Sequence, residues 1–322
     1  MRKIPKPIKR IGRSVLNEID KMRAIYWKRT IVENPQKHAT IEVKRQKQDL
    51  LRPVNIKEPL YFSEKMLWLK YFLYNDSPLI AQCYNKYEVR KYVKSKGLER
   101  ILNELYGVWN NIEDIPWNNL PDEYVMKVSN GYAGHVFNRK EEQFDVNEAI
   151  KILKNTKKKY DYYYAITGDL FVGKTPQYII CERRLYSNFG YKSPEDYKFY
   201  CFNGEPKYIE FMFDREGGSI YNEVFVDLDL NDRHDLEGDA GIGSFEAPAC
   251  LSEMIQIARV LSEDFPFVRV DLYVENDRPI FGELTFTPFH HQTEMSEREL
   301  GKLLDLSDIS KYKKILSQKV GD

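Results

Sequence analysis

The stretch Phe267-Val-Arg-Val-Asp-Leu-Tyr-Val-Glu275, followed past Asn276-Asp277-Arg278 by Pro279-Ile-Phe-Gly-Glu-Leu-Thr-Phe-Thr-Pro288, reads as two strands joined by a tight loop. Period-two alternation puts Val268, Val270, Leu272 and Val274 on one face and Phe267, Arg269, Asp271 and Tyr273 on the other. If the loop is odd in length, with Glu275 opposite Pro279, then Asp271 stands opposite Glu283 and Arg269 opposite Thr285; a two-residue Asn-Asp turn puts Glu283 on the wrong face. Opposed carboxylates repel unless one is protonated or a cation lies between them, and a cation is the working expectation.

The 322 residues, 42% of them apolar, are enough to bury a sizeable core in one large or two intimate domains. Lys plus Arg equals Asp plus Glu at 49 each, so overall charge favours neither a nucleic-acid binder nor an acidic scaffold. The first thirty residues are the exception, with ten Lys or Arg against Glu18 and Asp20. Cys83, Cys181, Cys201 and Cys250 lack zinc spacing and read as buried thiols of a reducing cytosol. No apolar run suits a signal peptide or a bilayer span, and a cytoplasmic location is expected.

Outward from the strand pair, Ser14 is placed to cap an amphipathic basic helix with Val15, Ile19, Met22 and Tyr26 on one face. That helix either packs on the body or docks on an anionic membrane surface or a partner. Residues 36–59 read as a connector. Ser63 is placed to cap a helix carrying Met66, Leu69, Phe72 and Leu73, Asn85 another that runs to Gly97, and helical style continues over 98–106. Tyr124–Val128, the turn 129–134 and residues 135–137 read as strand, glycine-rich loop, strand, and Asp145 with Glu148 starts a helix. Strands are expected over 177–184 and 223–228, a hairpin about Asn203-Gly204, a surface loop over 231–247, and helices at Leu251 and from Glu297 onward.

Lys127 precedes Gly131 and Gly134, whose freed backbone amides suit phosphate oxygens, although neither a Walker A nor a G-x-G-x-x-G pattern is present. No Ser/His/Asp or Cys/His signature of nucleophilic catalysis occurs. The phrases NKYEVRKYV (85–93), LPDEYVMKVSNGYAG (120–134), DYKFYCFNGE (196–205), FPFVRVDLY (265–273) and FGELTFTP (281–288) together resemble the TupA-like ATP-grasp family, over roughly residues 62–300.

The resemblance implies an α+β, ATP-grasp fold: a helical N-terminal extension (1–84), an N-terminal lobe with the phosphate loop (85–175) and a C-terminal lobe with the metal site (176–322), the lobes clasping ATP. It implies that Lys86 and Lys127 meet the phosphates, that Ser129, Gly131 and Gly134 belong to the loop closing over them, and that Glu182, Arg183 and Leu185 form the adenine hinge. Lys198, Arg215 and Arg269 would offset charge on the transferred group. Asp271 and Glu283 would hold Mg2+, with Thr285 where many ATP-grasp enzymes have asparagine.

The implied activity is an ADP-forming carboxylate-amine ligase working through an acyl phosphate. It would join an amino acid or peptide to a uronic acid in surface polysaccharide synthesis, with no nucleic-acid partner and a peripheral membrane contact through the basic helix. A glycan or metabolite kinase on the same ATP and Mg2+ site, and a non-catalytic nucleotide- or glycan-binding module, are the alternatives. His290, His291 and the tyrosines between 160 and 164 are secondary candidates for substrate contact, against an ordinary surface or core role.

Overall fold

A computed structural model describes residues 6–46, 50–216, 220–236, 245, 247–288 and 293–321, without the side chains of 6–17, 214–216, 220, 221 and 234. The chain opens on helices α1 (Lys6–Glu33) and α2 (Pro35–Arg45). α1 turns inward a different side from the one its sequence pattern suggests: Ala24 and Ile31 are buried, whereas Met22, Ile25, Tyr26 and Val32 are exposed. The choice is made by packing on α2 and on the short helix Tyr163–Thr167. α2 itself falls where a connector was expected. Asn34 caps it by accepting from Lys37 N at 3.1 Å, with Pro35 at its first position. Ala39 and Val43 join Ile31, Val54, Ile56, Leu67 and Tyr71 in a small core that fastens this extension to the body.

Helix α3 (Phe62–Leu69) runs on through a π-helical turn, Lys70–Tyr74. Its N-terminus is satisfied by Glu64, which accepts from Leu60 N at 2.8 Å and Tyr61 N at 3.1 Å; Ser63, the expected cap, lies inside the helix. Helices α4 (Pro78–Tyr84) and α5 (Val89–Ser95) follow; Asn85, expected to cap the second, instead ends α4 and opens the turn before α5 by accepting from Tyr87 N at 3.0 Å, and Glu88 stands at the cap position.

Strand β1 (Leu105–Trp109) replaces the helical end expected over 98–106, because β4 offers it an antiparallel edge. Then come β2 (Tyr124–Val128), β3 (Val136–Asn138), α6 (Val146–Tyr160), α7 (Tyr163–Thr167) and β4 (Ile179–Glu182), forming a sheet ordered β1-β4-β2-β3. Asp145 caps α6, whose Ala149 and Leu153 share a core with Met126 and Val128.

A second sheet contains β5 (Asp196–Phe202), β6 (Glu205–Glu216), β7 (Ile220–Asp227), β8 (Phe267–Glu275) and β9 (Arg278–Thr285), in the order β7-β6-β5-β8-β9 with every neighbour antiparallel. Helix α8 (Leu251–Ser262) packs on β5, β6 and β8, and its Met254, Ala258 and Leu261 share a core with Phe199, Cys201, Val268 and Val270. The other face is left for polar side chains. Helices α9 (Glu294–Leu303) and α10 (Ser310–Leu316) close the chain.

The β8–β9 loop is not odd. It is the two-residue turn Asn276-Asp277, with φ of 53° and 57° and Glu275 opposite Arg278, the positive-φ pattern of a hairpin turn that follows strand twist. Asp271 nevertheless stands opposite Glu283, and Arg269 opposite Thr285, because a bulge at Gly282 inserts one residue and restores the face. The β5–β6 hairpin repeats the device: Asn203 and Gly204 make the turn, and a bulge between Tyr200 and Cys201 brings Glu210 opposite Lys198. All four cysteines are free and buried, as expected. Among the described residues no helix is long and apolar enough to cross a membrane.

Candidate active site

Register lines up Glu210 (β6), Lys198 (β5), Asp271 (β8) and Glu283 (β9) in one row across the polar face of the second sheet. Lys198 Nζ lies 2.6 Å from Asp196 Oδ2 and 3.1 Å from Asp271 Oδ2. Arg269 grips Asp271 bidentately, Nε to Oδ1 at 2.8 Å and Nη2 to Oδ2 at 2.7 Å. Its Nη1 is 3.8 Å from Glu210 Oε2, which also accepts from the Tyr200 hydroxyl at 2.8 Å. At the end of the row Lys86 Nζ lies 2.9 Å from Glu283 Oε2. Protein cations therefore offset both opposed carboxylates.

The two acids are pushed in opposite directions. Burial raises the pKa of Asp271, only partly offset by Arg269 and Lys198, whereas Lys86 holds Glu283 well below the usual carboxylate range. Burial alone would lower the Lys198 ammonium, but Asp196 and Asp271 win and raise it, so it keeps its charge at neutral pH.

Asp271, Glu283 and the Thr285 hydroxyl, which donates to Glu283 Oε1 at 3.2 Å, form an all-oxygen donor set. Among the described residues no group of three or more His, Cys, Asp or Glu is arranged to hold a metal. Two carboxylates without a complete protein cage suit magnesium, which keeps positions for phosphate and water; the set does not suit zinc.

The first sheet supplies the other basic groups. Lys127 Nζ on β2 is 3.0 Å from Glu182 Oε2, and Arg90 Nη1 is 3.5 Å from the other carboxylate oxygen. Burial pulls the Lys127 ammonium down, but Glu182 more than compensates and its pKa is raised. Arg183, paired with Glu275 at 2.6 Å, and Leu185 line a cavity of about 260 Å³ with Lys127, His135 and Tyr273. A second cavity, about 460 Å³, is lined by Lys86, Arg269, Glu283 and Thr285 and also by Arg45 and Asp169. Tyr273 borders the first cavity and Arg269 the second, and Asp271, buried and lining neither, lies between them on the same strand face.

The glycine-rich loop is rooted by Ser129, whose hydroxyl accepts from Tyr178 N at 3.0 Å and whose carbonyl accepts from Lys86 N at 2.7 Å. Ser129 thus positions Lys86. Gly131 N is engaged by Val128 O at 3.0 Å, and Gly134 has φ of 77°, with a side chain there barred by Thr156. Tyr160, Tyr163 and Tyr164 are helical, and Lys159 Nζ sits 5.0, 5.3 and 4.7 Å from the rings of Tyr132, Tyr160 and Tyr163. The Arg215 side chain, and His290 and His291, lie outside the described residues.

Sequence reasoning missed Asp196, Glu210, Arg90, Arg45 and Asp169. Asp196 was legible, two residues from Lys198 on the same strand face. Glu210 was hidden by the bulge that brings it into the row; Arg90 lay within the quoted phrase 85–93 without a role assigned to it, and Arg45 and Asp169 come from a helix and a turn with no motif.

A family model described as TupA-like ATPgrasp matches residues 64–307. No curated protein matches the chain. Among solved structures, D-alanine–D-alanine ligase from Bacillus anthracis is 15% identical with a TM-score of 0.42, covering 69% of this chain and 67% of that one. The ATP-grasp ligase PsnB complexed with its minimal precursor is 9% identical with a TM-score of 0.41, covering 77% and 67%. N5-carboxyaminoimidazole ribonucleotide synthetase from Thermus thermophilus is 12% identical with a TM-score of 0.37, covering 71% and 49%. These likenesses are too distant to carry weight by themselves, but the family match spans well over half of the sequence: the chain belongs to the TupA-like ATP-grasp family and has its α+β, ATP-grasp fold.

Proposed function

We propose that this protein is an ATP-dependent carboxylate-amine ligase. A carboxylate oxygen of the acid substrate attacks the γ-phosphorus of ATP, the bond to the β-bridging oxygen breaks, and ADP leaves. The amine then attacks the acyl carbon, phosphate leaves, and the amine gives up a proton as the amide forms. Lys86 and Lys127 meet the phosphates, Lys198 and Arg269 offset charge on the transferred group, and Arg183 and Leu185 border the adenine. Asp271, Glu283 and Thr285 would hold magnesium, which polarises phosphate oxygens when bound. No side-chain nucleophile is required, because positioning and charge compensation accelerate such transfers.

The observation supporting this reading is the opposed pair Asp271 and Glu283, with Lys198 and Arg269 against the first and Lys86 against the second, at the edge of the 460 Å³ cavity that Lys86, Arg269 and Glu283 line. The finer reading is an amino acid or peptide joined to a uronic acid of a surface polysaccharide precursor, with α1 resting on an anionic membrane. The test is ADP release over pairs of uronic acids and amino acids with magnesium present. The ligase reading expects release only when both partners are supplied. Release on a hydroxyl acceptor alone would make the protein a kinase, and failure to bind ATP would end both.

A further inference from the structure

Part of the lining of the 460 Å³ cavity has no role in the phosphoryl transfer proposed above, and the N-terminal extension supplies some of it. Arg45, at the last position of α2, donates from Nε to Glu42 Oε2 at 2.8 Å and from Nη2 to Glu42 Oε1 at 2.5 Å. Glu42 is 2% exposed and also accepts from Gln46 at 3.1 Å, so it is a fixed anchor that sets the plane of the guanidinium. Among the described residues Nη1 of Arg45 makes no bond, and the Arg45 side chain is 38% exposed. Such a pre-oriented fork with one free edge recognises a carboxylate or phosphate.

The same part of the lining carries the opposite charge. Asp169 meets Lys70 Nζ at 2.9 Å and the Thr287 hydroxyl at 2.9 Å, both through Oδ1, and its side chain remains 17% exposed. Two cations, Arg45 and Lys70, and two carboxylates, Glu42 and Asp169, thus lie within electrostatic reach of one another in this part of the lining, and the four are balanced in charge. The lining also contains Lys86 and Arg269 with Glu283, which the ligase reading assigns to the phosphoryl group. A ligand with a second full negative charge would meet no net cation in the balanced part, and a bare amine would leave the Arg45 edge unpaired. A zwitterion matches both signs.

We propose that this part of the lining is an α-amino acid site, with Arg45 binding the free α-carboxylate and Asp169 orienting the ammonium until it loses its proton and attacks. The assignment rests on the ligase reading and narrows it: the amine is a single amino acid with its carboxylate free, and Arg45 selects it.

Saturation-transfer NMR, with magnesium and a non-hydrolysable ATP analogue present, would test L- and D-amino acids against their decarboxylated amines. At least one amino acid binds and its amine does not. Arg45→Met weakens that binding by about 30-fold, the loss of a charge-assisted bond, with nucleotide affinity unchanged. Arg45→Lys, which keeps the charge and loses the fork, weakens it by about tenfold and serves if the methionine variant does not fold. If no amino acid binds to protein that holds nucleotide, or if the amines bind equally, the site assignment is wrong and the ligase reading stands. If nucleotide itself does not bind, both fall.

Discussion

A Cβ added at Gly282 would stand 2.8 Å from the carbonyl oxygen of Asp271. The bulge that brings Glu283 opposite Asp271 therefore requires a residue without a side chain at this point. Gly282→Ala either strains β9, costing about 1–3 kcal/mol, or slips its register by one residue and turns Glu283 to the other face. A lowered urea midpoint and at least about a tenfold loss of ATP turnover are expected. A variant with the wild-type midpoint and turnover would show that the bulge is dispensable.

How much of this was legible depends on what a periodic pattern can carry. The five quoted phrases bring the family, and alternation along β8 puts Arg269, Asp271 and Tyr273 on one face, as found. Alternation cannot register a bulge, because one inserted residue leaves each half-strand regular and inverts their relation. Both hairpins combine a two-residue turn with a bulge; an odd loop gives β9 the same pairing as turn plus bulge do, whereas nothing in the pattern of β6 points Glu210 toward Lys198. α2 was lost for another reason. Its buried side includes His38 and Glu42, so the polar residues that masked its period are those that bond Tyr71 and Arg45.

Asp271 and Glu283 should separate stability from function. Asp271 is 2% exposed and is held by Arg269 and Lys198, so Asp271→Asn leaves two buried cations short of a partner and is expected to destabilise by about 3–5 kcal/mol. The Glu283 side chain is 36% exposed, and Glu283→Gln should stay within about 1 kcal/mol of wild type. If Glu283 holds the metal, this variant loses turnover by about 100-fold and needs more magnesium for half-saturation. A magnesium titration of Glu283→Gln that overlays wild type would remove Glu283 from the metal site.

Met22, Ile25 and Val32 are 61%, 69% and 76% exposed along α1, interspersed with Lys21, Arg23 and Arg29. Apolar side chains flanked by cations favour an anionic bilayer surface. The protein should co-sediment with phosphatidylserine-containing vesicles and not with neutral ones, and less so as salt rises. Replacing the three apolar residues by serine should abolish that binding and leave ATP turnover intact. Equal sedimentation of the two proteins would place the vesicle contact elsewhere.

Glu297 on α9 ties the C-terminal helices to α3 by accepting from Ser63 N at 2.8 Å. Burial, aided by the nearby Glu64 charge and only partly countered by the Ser63 bonds, raises its pKa from the ordinary 4.5 to about 7. The folded state then holds this proton more tightly than the unfolded chain. Its contribution is fully present below about pH 4.5 and is lost as pH climbs through about 7, for a total of about 3 kcal/mol. Glu297→Gln keeps an acceptor for the Ser63 amide and removes the titration, so it should be more stable than wild type at pH 8 and show a flatter urea midpoint between pH 5 and 8. The same slope in both proteins would mean that another group sets the alkaline loss, and that Glu297 is already ionised within its helix pair.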